Sequence, residues 1–173
     1  MHDTPEPAPH DALAESGPVS SWRDFHSRVE AAMAVLAAEP ADLWLVDADF
    51  AQWPLGRRSV MEALHRWAVA PSRHRITVLA GGYDGVARCH PRWVAWQRTW
   101  GHRVRCWQAP AECAADLKPT LILGQSLALR VAEPRMGTGW WTRESARIAN
   151  WRAEIDAILQ RSEEAPSSSP LGL

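Results

Sequence analysis

The chain is short of lysine, short of cysteine, and without any long apolar run or complete catalytic signature, and each shortage removes a class of protein. Three cysteines, Cys89, Cys106 and Cys113, form no C-x-x-C pair, which argues against a disulfide framework and against a zinc knuckle. No window approaches the ~18 uninterrupted apolar residues of a membrane-spanning helix. The N-terminal stretch MHDTPEPAPHDALAESGP has no basic segment leading into an apolar one, so it does not read as a secretory signal, and a cytoplasmic location is expected. The formal net charge of −1 supplies no global attraction to polyanions, so nucleic acid is not expected as a partner, nor is a membrane surface. H-E-x-x-H, G-x-G-x-x-G, G-K-[ST] and G-x-S-x-G are all missing. No metal and no cofactor is expected.

Basic charge rests on 18 arginines against the single Lys118. Guanidinium groups bind phosphates and carboxylates through planar, bidentate contacts, although most charged side chains are simply solvated surface. Eleven tryptophans are the other excess. Hydrophobic residues make up 46% of the chain, enough for burial to offset the entropy of ordering its middle.

Residues 1–18 and 163–173 are rich in Pro, Ser, Ala and acid, with no apolar period, and read as disordered tails around one domain, 19–162. From an N-cap at Ser21, Trp22, Phe25, Val29, Met33 and Leu36 recur at helical steps up to Pro40. Leu43 to Val46 is too short an apolar run for a helix and reads as a buried strand. A second helix carries Val60, Leu64 and Trp67. Arg75 to Gly82 is a second strand ending in Gly-Gly. Asp84 suits an N-cap for a third helix, which Pro91 kinks or restarts. Val104 to Trp107 is a third strand, PTLILG and LALRV form a hairpin at Gly124-Gln125, and a last helix begins near Thr142. Strands alternating with helices predict an α/β fold with a mixed, largely parallel sheet flanked by helices.

With its local wording (LWLVDADFAQWPLGRRSVMEALHRWA, RITVLAGGYD, HPRWVAWQRTWGHRVRCW), this order resembles a half-repeat of the phospholipase D-like superfamily. It is also similar to a bacterial domain of unknown function found alone or fused to acetyltransferases of the GNAT type. The resemblance spans about residues 20–162. The superfamily works through H-x-K-x-x-x-x-D, and the matching strand here is DLKPTLILGQS. Aligning the family's Asp with Gly124 puts Pro119 at its Lys and Leu117 at its His. Lys118 is one residue out of register, which on a strand is the opposite face. The resemblance therefore implies the fold without the chemistry: a degenerate binding or interaction module. Because such half-repeats pair, it also implies a homodimer.

Other candidates come from the residues themselves. Asp47 and Asp49 follow a buried strand, where open α/β sheets bind ligands. A carboxylate pair there suits Mg²⁺ or acid–base work, which makes a metal-dependent phosphohydrolase the first alternative. Gly81, Gly82 and Asp84 close the next strand, where backbone N–H groups can approach a phosphate. Trp53, Trp107, Trp140 and Trp141 fall at loops or strand ends and are candidates for an exposed interaction patch. A nucleic-acid-binding surface built on Arg57, Arg58, Arg88, Arg92 and Arg98 with nearby Trp is the second alternative.

Overall fold

The structure is a computed structural model that describes residues 14–165. Eight strands form one sheet in the order β1-β7-β6-β5-β2-β3-β4-β8. They are β1 (Ser16–Val19), β2 (Leu43–Asp47), β3 (Ile76–Ala80), β4 (Val104–Gln108), β5 (Thr120–Leu123), β6 (Leu127–Glu133), β7 (Thr138–Thr142) and β8 (Glu163–Glu164). The helices are α1 (Trp22–Ala38), α2 (Arg58–Val69), α3 (Asp84–Cys89), α4 (Pro91–Thr99), α5 (Ala111–Ala114) and α6 (Ser145–Leu159).

The α/β class and the mixed sheet are as expected, but the sheet is not largely parallel. Only β2–β3 and β3–β4 pair in parallel. The other five pairings are antiparallel, because hairpins link β5, β6 and β7 and both ends of the described chain return to the sheet edges. The boundaries shift for the same reason. Ser16–Pro18, assigned by composition to a tail, pairs with β7 together with Val19. Glu163–Glu164 pairs with β4, and Ala165 is buried with its N–H donating to the Cys106 carbonyl at 2.8 Å. The rest of the two expected tails, 1–13 and 166–173, lies outside the described residues.

Local chemistry sets the helix ends. Ser21 Oγ accepts the Asp24 N–H at 3.2 Å while the Asp24 carboxylate accepts the Ser20 N–H at 2.9 Å, a reciprocal cap of the kind that closes a helix N-terminus. Phe25, Val29, Ala32, Met33 and Leu36 form the buried stripe of α1. Pro91 sits at the first turn of α4. Its ring excludes His90 from the helical region, and His90 is accordingly non-helical at φ −134°, ψ 58°, which splits α3 from α4. Asp84 is the first residue of α3 rather than its cap, and the Tyr83 side chain makes no capping bond. The last helix starts at Ser145 because Thr138–Thr142 is a strand.

One sheet face, bearing Leu43, Leu45, Ile76, Val78, Val104, Leu121 and Leu129, packs under α1, α2 and α4. The other bears Trp44, Val46, Leu79, Ile122 and Ala128 under Ile148 and Ile155 of α6. A single helix of that length covers only part of this second face. In register across it run Trp44, Thr77 and Arg105, then Val46, Leu79 and Trp107. The β2 residues of these rungs lie beneath α6, while Thr77, Arg105 and Trp107 stand beside it.

Candidate functional site

The carboxyl end of β2 is built as a structural joint. Asp47 is buried. Its Oδ1 accepts the Ala48 N–H at 2.6 Å and its Oδ2 accepts the Trp53 indole N–H at 2.8 Å. Burial pushes its pKa up to about 6, against the lowering effect of these two donors, and the nearby Asp49 charge adds to the rise. Asp49 is exposed and its Oδ1 accepts the Ala51 N–H at 2.9 Å, an Asx turn. The two carboxylates thus face separate partners. Among the described residues no three His, Cys, Asp or Glu side chains converge to hold a metal.

Gly81 and Gly82 do not form a phosphate cradle. Both N–H groups donate to the Ala48 carbonyl, at 2.9 and 3.2 Å. A Cβ on Gly81 would lie 2.9 Å from that same oxygen and 3.0 Å from the Ala114 carbonyl, so its glycine character serves close packing. The side chain of Asp84 is exposed on a six-residue helix. At the positions where the resemblance would need a nucleophile and a phosphate clamp, Leu117 and Pro119 are buried, and Lys118 between them is exposed.

The tryptophan candidates separate. Trp53 is buried, stacked edge-on against Phe25 and bonded to Asp47; its loop folds back into the core, which a local reading of loop position does not anticipate. Trp141 is buried with the Arg28 and Arg143 guanidiniums over its ring. Trp140 alternates with it on β7 and is half exposed. Trp107 is partly exposed on β4.

Of the arginines named for a nucleic-acid surface, Arg57 is engaged with Glu30 and His26, and Arg58 with Glu62. Arg58 and Arg92 line a shallow depression with His65 and Arg66, remote in the fold from the second sheet face.

A different cluster forms there. Asp42, Trp44, Arg73, Arg75, Thr77, Arg105, Trp107, Arg152, Asp156 and Leu159 line a groove of about 420 Å³ between α6 and the open β3–β4 columns. The Arg152 guanidinium lies over the Trp44 ring, 3.4 Å from its centroid, and its Nε is 3.1 Å from an Asp156 oxygen. Asp42 is occupied by the Arg75 backbone N–H at 2.8 Å and by His74 at 3.4 Å. Among the described residues, the side chains of Arg73, Arg75 and Arg105 make no hydrogen bond or ion pair, and all three are exposed. Arg103 fixes the loop that presents two of them. Its buried guanidinium donates to the carbonyls of Trp67, Ala68, Ala70 and His74 and to Ser72 Oγ, the shortest contacts being 2.7 Å.

The sequence reading missed this groove because its residues come from four segments. A signal was present in the alternation of Arg75–Val78 and of Val104–Cys106, where Arg75, Thr77 and Arg105 fall on one face; such alternation marks a strand with one face open to water.

No family model matches the chain, and no characterised protein matches it in sequence. Its α/β architecture does recur among solved structures. One is TrmBL2, described as an archaeal chromatin protein that shows a novel mode of DNA binding, with a TM-score of 0.62 at 11% identity. The alignment covers 88% of this chain and 55% of that one, so the chain spans about half of TrmBL2's length. This likeness is one of fold. It nevertheless overturns the expectation that nucleic acid is not a partner: an architecture of this kind occurs in a DNA-binding protein. A net charge of −1 also averages over a face that is locally basic. No helix among the described residues is long and apolar enough to cross a membrane.

Proposed function

We propose that this chain is a nucleic-acid-binding module whose contact surface is the groove between α6 and the open β3–β4 face. The observation that carries the reading is the convergence of three unpaired guanidiniums, Arg73, Arg75 and Arg105, beside Arg152, Trp44 and Trp107. Unpaired arginines are free to make charge-assisted, bidentate bonds to phosphate, and exposed indole offers a face to bases. Of the two acids of the groove, Asp156 is paired with Arg152, and Asp42 accepts the Arg75 backbone N–H and lies 3.4 Å from His74; with four guanidiniums against two carboxylates the groove's charge is positive. The fold likeness to a DNA-binding chromatin protein supports the same reading. Within this proposal the resemblance to a phospholipase D-like half-repeat describes a scaffold reused for binding. Against the phosphohydrolase alternative, the Asp47 and Asp49 oxygens are engaged by Ala48, Trp53 and Ala51, and among the described residues no three His, Cys, Asp or Glu side chains converge.

The test is fluorescence anisotropy of a labelled short DNA against the full chain over a series of salt concentrations. Affinity is expected to fall steeply with salt. Neutralising Arg73, Arg75 and Arg105 together with glutamine should reduce the log–log salt slope by about 2–3, one phosphate contact each. Absence of binding at low salt, or an unchanged slope in the triple variant, overturns the reading.

A further inference from the structure

Taking the groove as the nucleic-acid site, we infer that it takes a single strand, with an unpaired base against Trp107 and its flanking phosphates on Arg73, Arg75 and Arg105. The inference rests on how the groove separates its charge from its apolar surface. Arg105 and Thr77 share one rung of the sheet, and Trp107 and Leu79 share the next. Arg75 leads into the same column of β3 as Thr77 and Leu79, so the guanidiniums gather at one end of the groove. Toward the other end lie Trp107 and, from α6, Leu159. Beyond Trp107, β8 pairs antiparallel with β4 and sets Glu164 directly opposite it. Residues directly opposite in an antiparallel pair project on the same side of the sheet. A carboxylate beside the indole repels phosphate there and accepts hydrogen bonds from exocyclic amino groups of bases.

One end therefore suits phosphate and the other suits a base, which is the polarity of an unpaired nucleotide. A duplex keeps its bases stacked and paired inward and presents phosphates on its outside, so it engages only the arginine end. Unpaired bases, by contrast, splay out onto aromatic side chains. The groove's volume of about 420 Å³ also falls in the range of sites that enclose small ligands. The platform is held in place from behind: Tyr83 Oη donates to the Trp107 carbonyl at 2.8 Å.

The experiment compares three labelled probes on the full chain at one salt concentration: a short strand of mixed adenine and cytosine, whose bases carry exocyclic amino groups, the same strand annealed to its complement, and an abasic strand of equal length. Trp107→Leu keeps apolar volume on the partly buried side and removes the π face; its thermal melt checks folding. Arg105→Gln, at an exposed position, serves as an independent variant that leaves the core untouched. The single strand is expected to bind more tightly than both other probes. Trp107→Leu should weaken it by about 5- to 140-fold, the range for loss of one base–aromatic stack, and leave the abasic probe unchanged. Arg105→Gln should weaken all three. Equal binding of duplex, abasic and single strands, indifferent to Trp107→Leu yet weakened by Arg105→Gln, overturns the single-strand inference and leaves the phosphate-binding groove intact. No binding of any probe overturns both.

Discussion

Replacing Arg103 by methionine removes the side chain that ties the end of α2 to the start of β3. The last carbonyls of a helix have no partner within it, and here Trp67, Ala68 and Ala70 give theirs to one guanidinium, which also reaches Ser72 and His74. The same group lies over the Trp67 ring, 4.1 Å from its centroid. Methionine keeps the length and the apolar stem but supplies no donor. Hydrogen bonds to charged groups contribute roughly 1.5–3 kcal/mol net, and each buried acceptor left without a partner costs about 1–3 kcal/mol. Several of these bonds are long or shared, and water can reach the outer carbonyls, so the expected loss is about 3–5 kcal/mol rather than the full sum. For a domain of this size each kcal/mol moves Tm by about 2–4 °C, which gives a fall of roughly 6–20 °C. Circular dichroism melts of the wild type, Arg103→Met and Arg103→Lys measure it, with lysine expected between the two because it keeps charge without the planar fork. Since the loop held by Arg103 presents Arg73 and Arg75, oligonucleotide affinity should fall in Arg103→Met even well below its Tm. A Tm change within about 2 °C of wild type would refute the claim that this guanidinium organises the α2–β3 connection.

Asp47 gives the domain a pH dependence of definite sign. Its folded pKa is raised from 3.8 to about 6 by burial, so the folded state holds the extra proton. The stability this contributes is fully present below pH 3.8 and is lost as pH rises through about 6, amounting to ~3 kcal/mol on this account. Urea unfolding followed across that window should show the fall, and Asp47→Asn should flatten it; an unchanged pH profile in the variant contradicts the assignment. Gly137, at φ +70°, has Trp22 against the position a Cβ would take. Gly137→Ala is expected to destabilise by more than 1 kcal/mol, through both strain and the displaced Trp22, read from the denaturation midpoint.

The parts legible in sequence are those whose burial is decided locally. The stripe from Phe25 to Leu36 and the Ser21 cap specify α1 without reference to any neighbour, and Pro91 dictates the break between α3 and α4. Leu43–Val46 is apolar at every position because both of its faces are covered. By contrast, Ser-Gly-Pro-Val of β1 and Glu-Glu of β8 have no strand signature of their own. They become strands only because a partner edge is there to accept them, and propensity is weak against such tertiary pairing. The site follows the same division. Asp47 and Asp49 stand out in sequence by adjacency, yet their roles are set by Trp53, Ala48 and Ala51, which spacing does not reveal as partners. Arg73, Arg75, Arg105 and Arg152 look like unremarkable surface charge until the sheet register and α6 bring them around two indoles.

The placement of β1 and β8 at opposite edges of the sheet has a mechanical meaning. Strands are spaced about 4.8 Å apart, so the seven steps between them separate the two segments by roughly 34 Å before twist. Pulling on the chain from outside Ser16 and Ala165 would load the sheet across its hydrogen-bond ladder, peeling the two outermost strands first. These short segments also cover the backbone edges of β7 and β4, which would otherwise be open to pairing with other chains. A version of the domain trimmed to residues 19–162 would keep most of its sheet and nearly all of its two cores, losing Ala165 from one of them. It would lose both seals at once, and its first failure would be association through the bared edges.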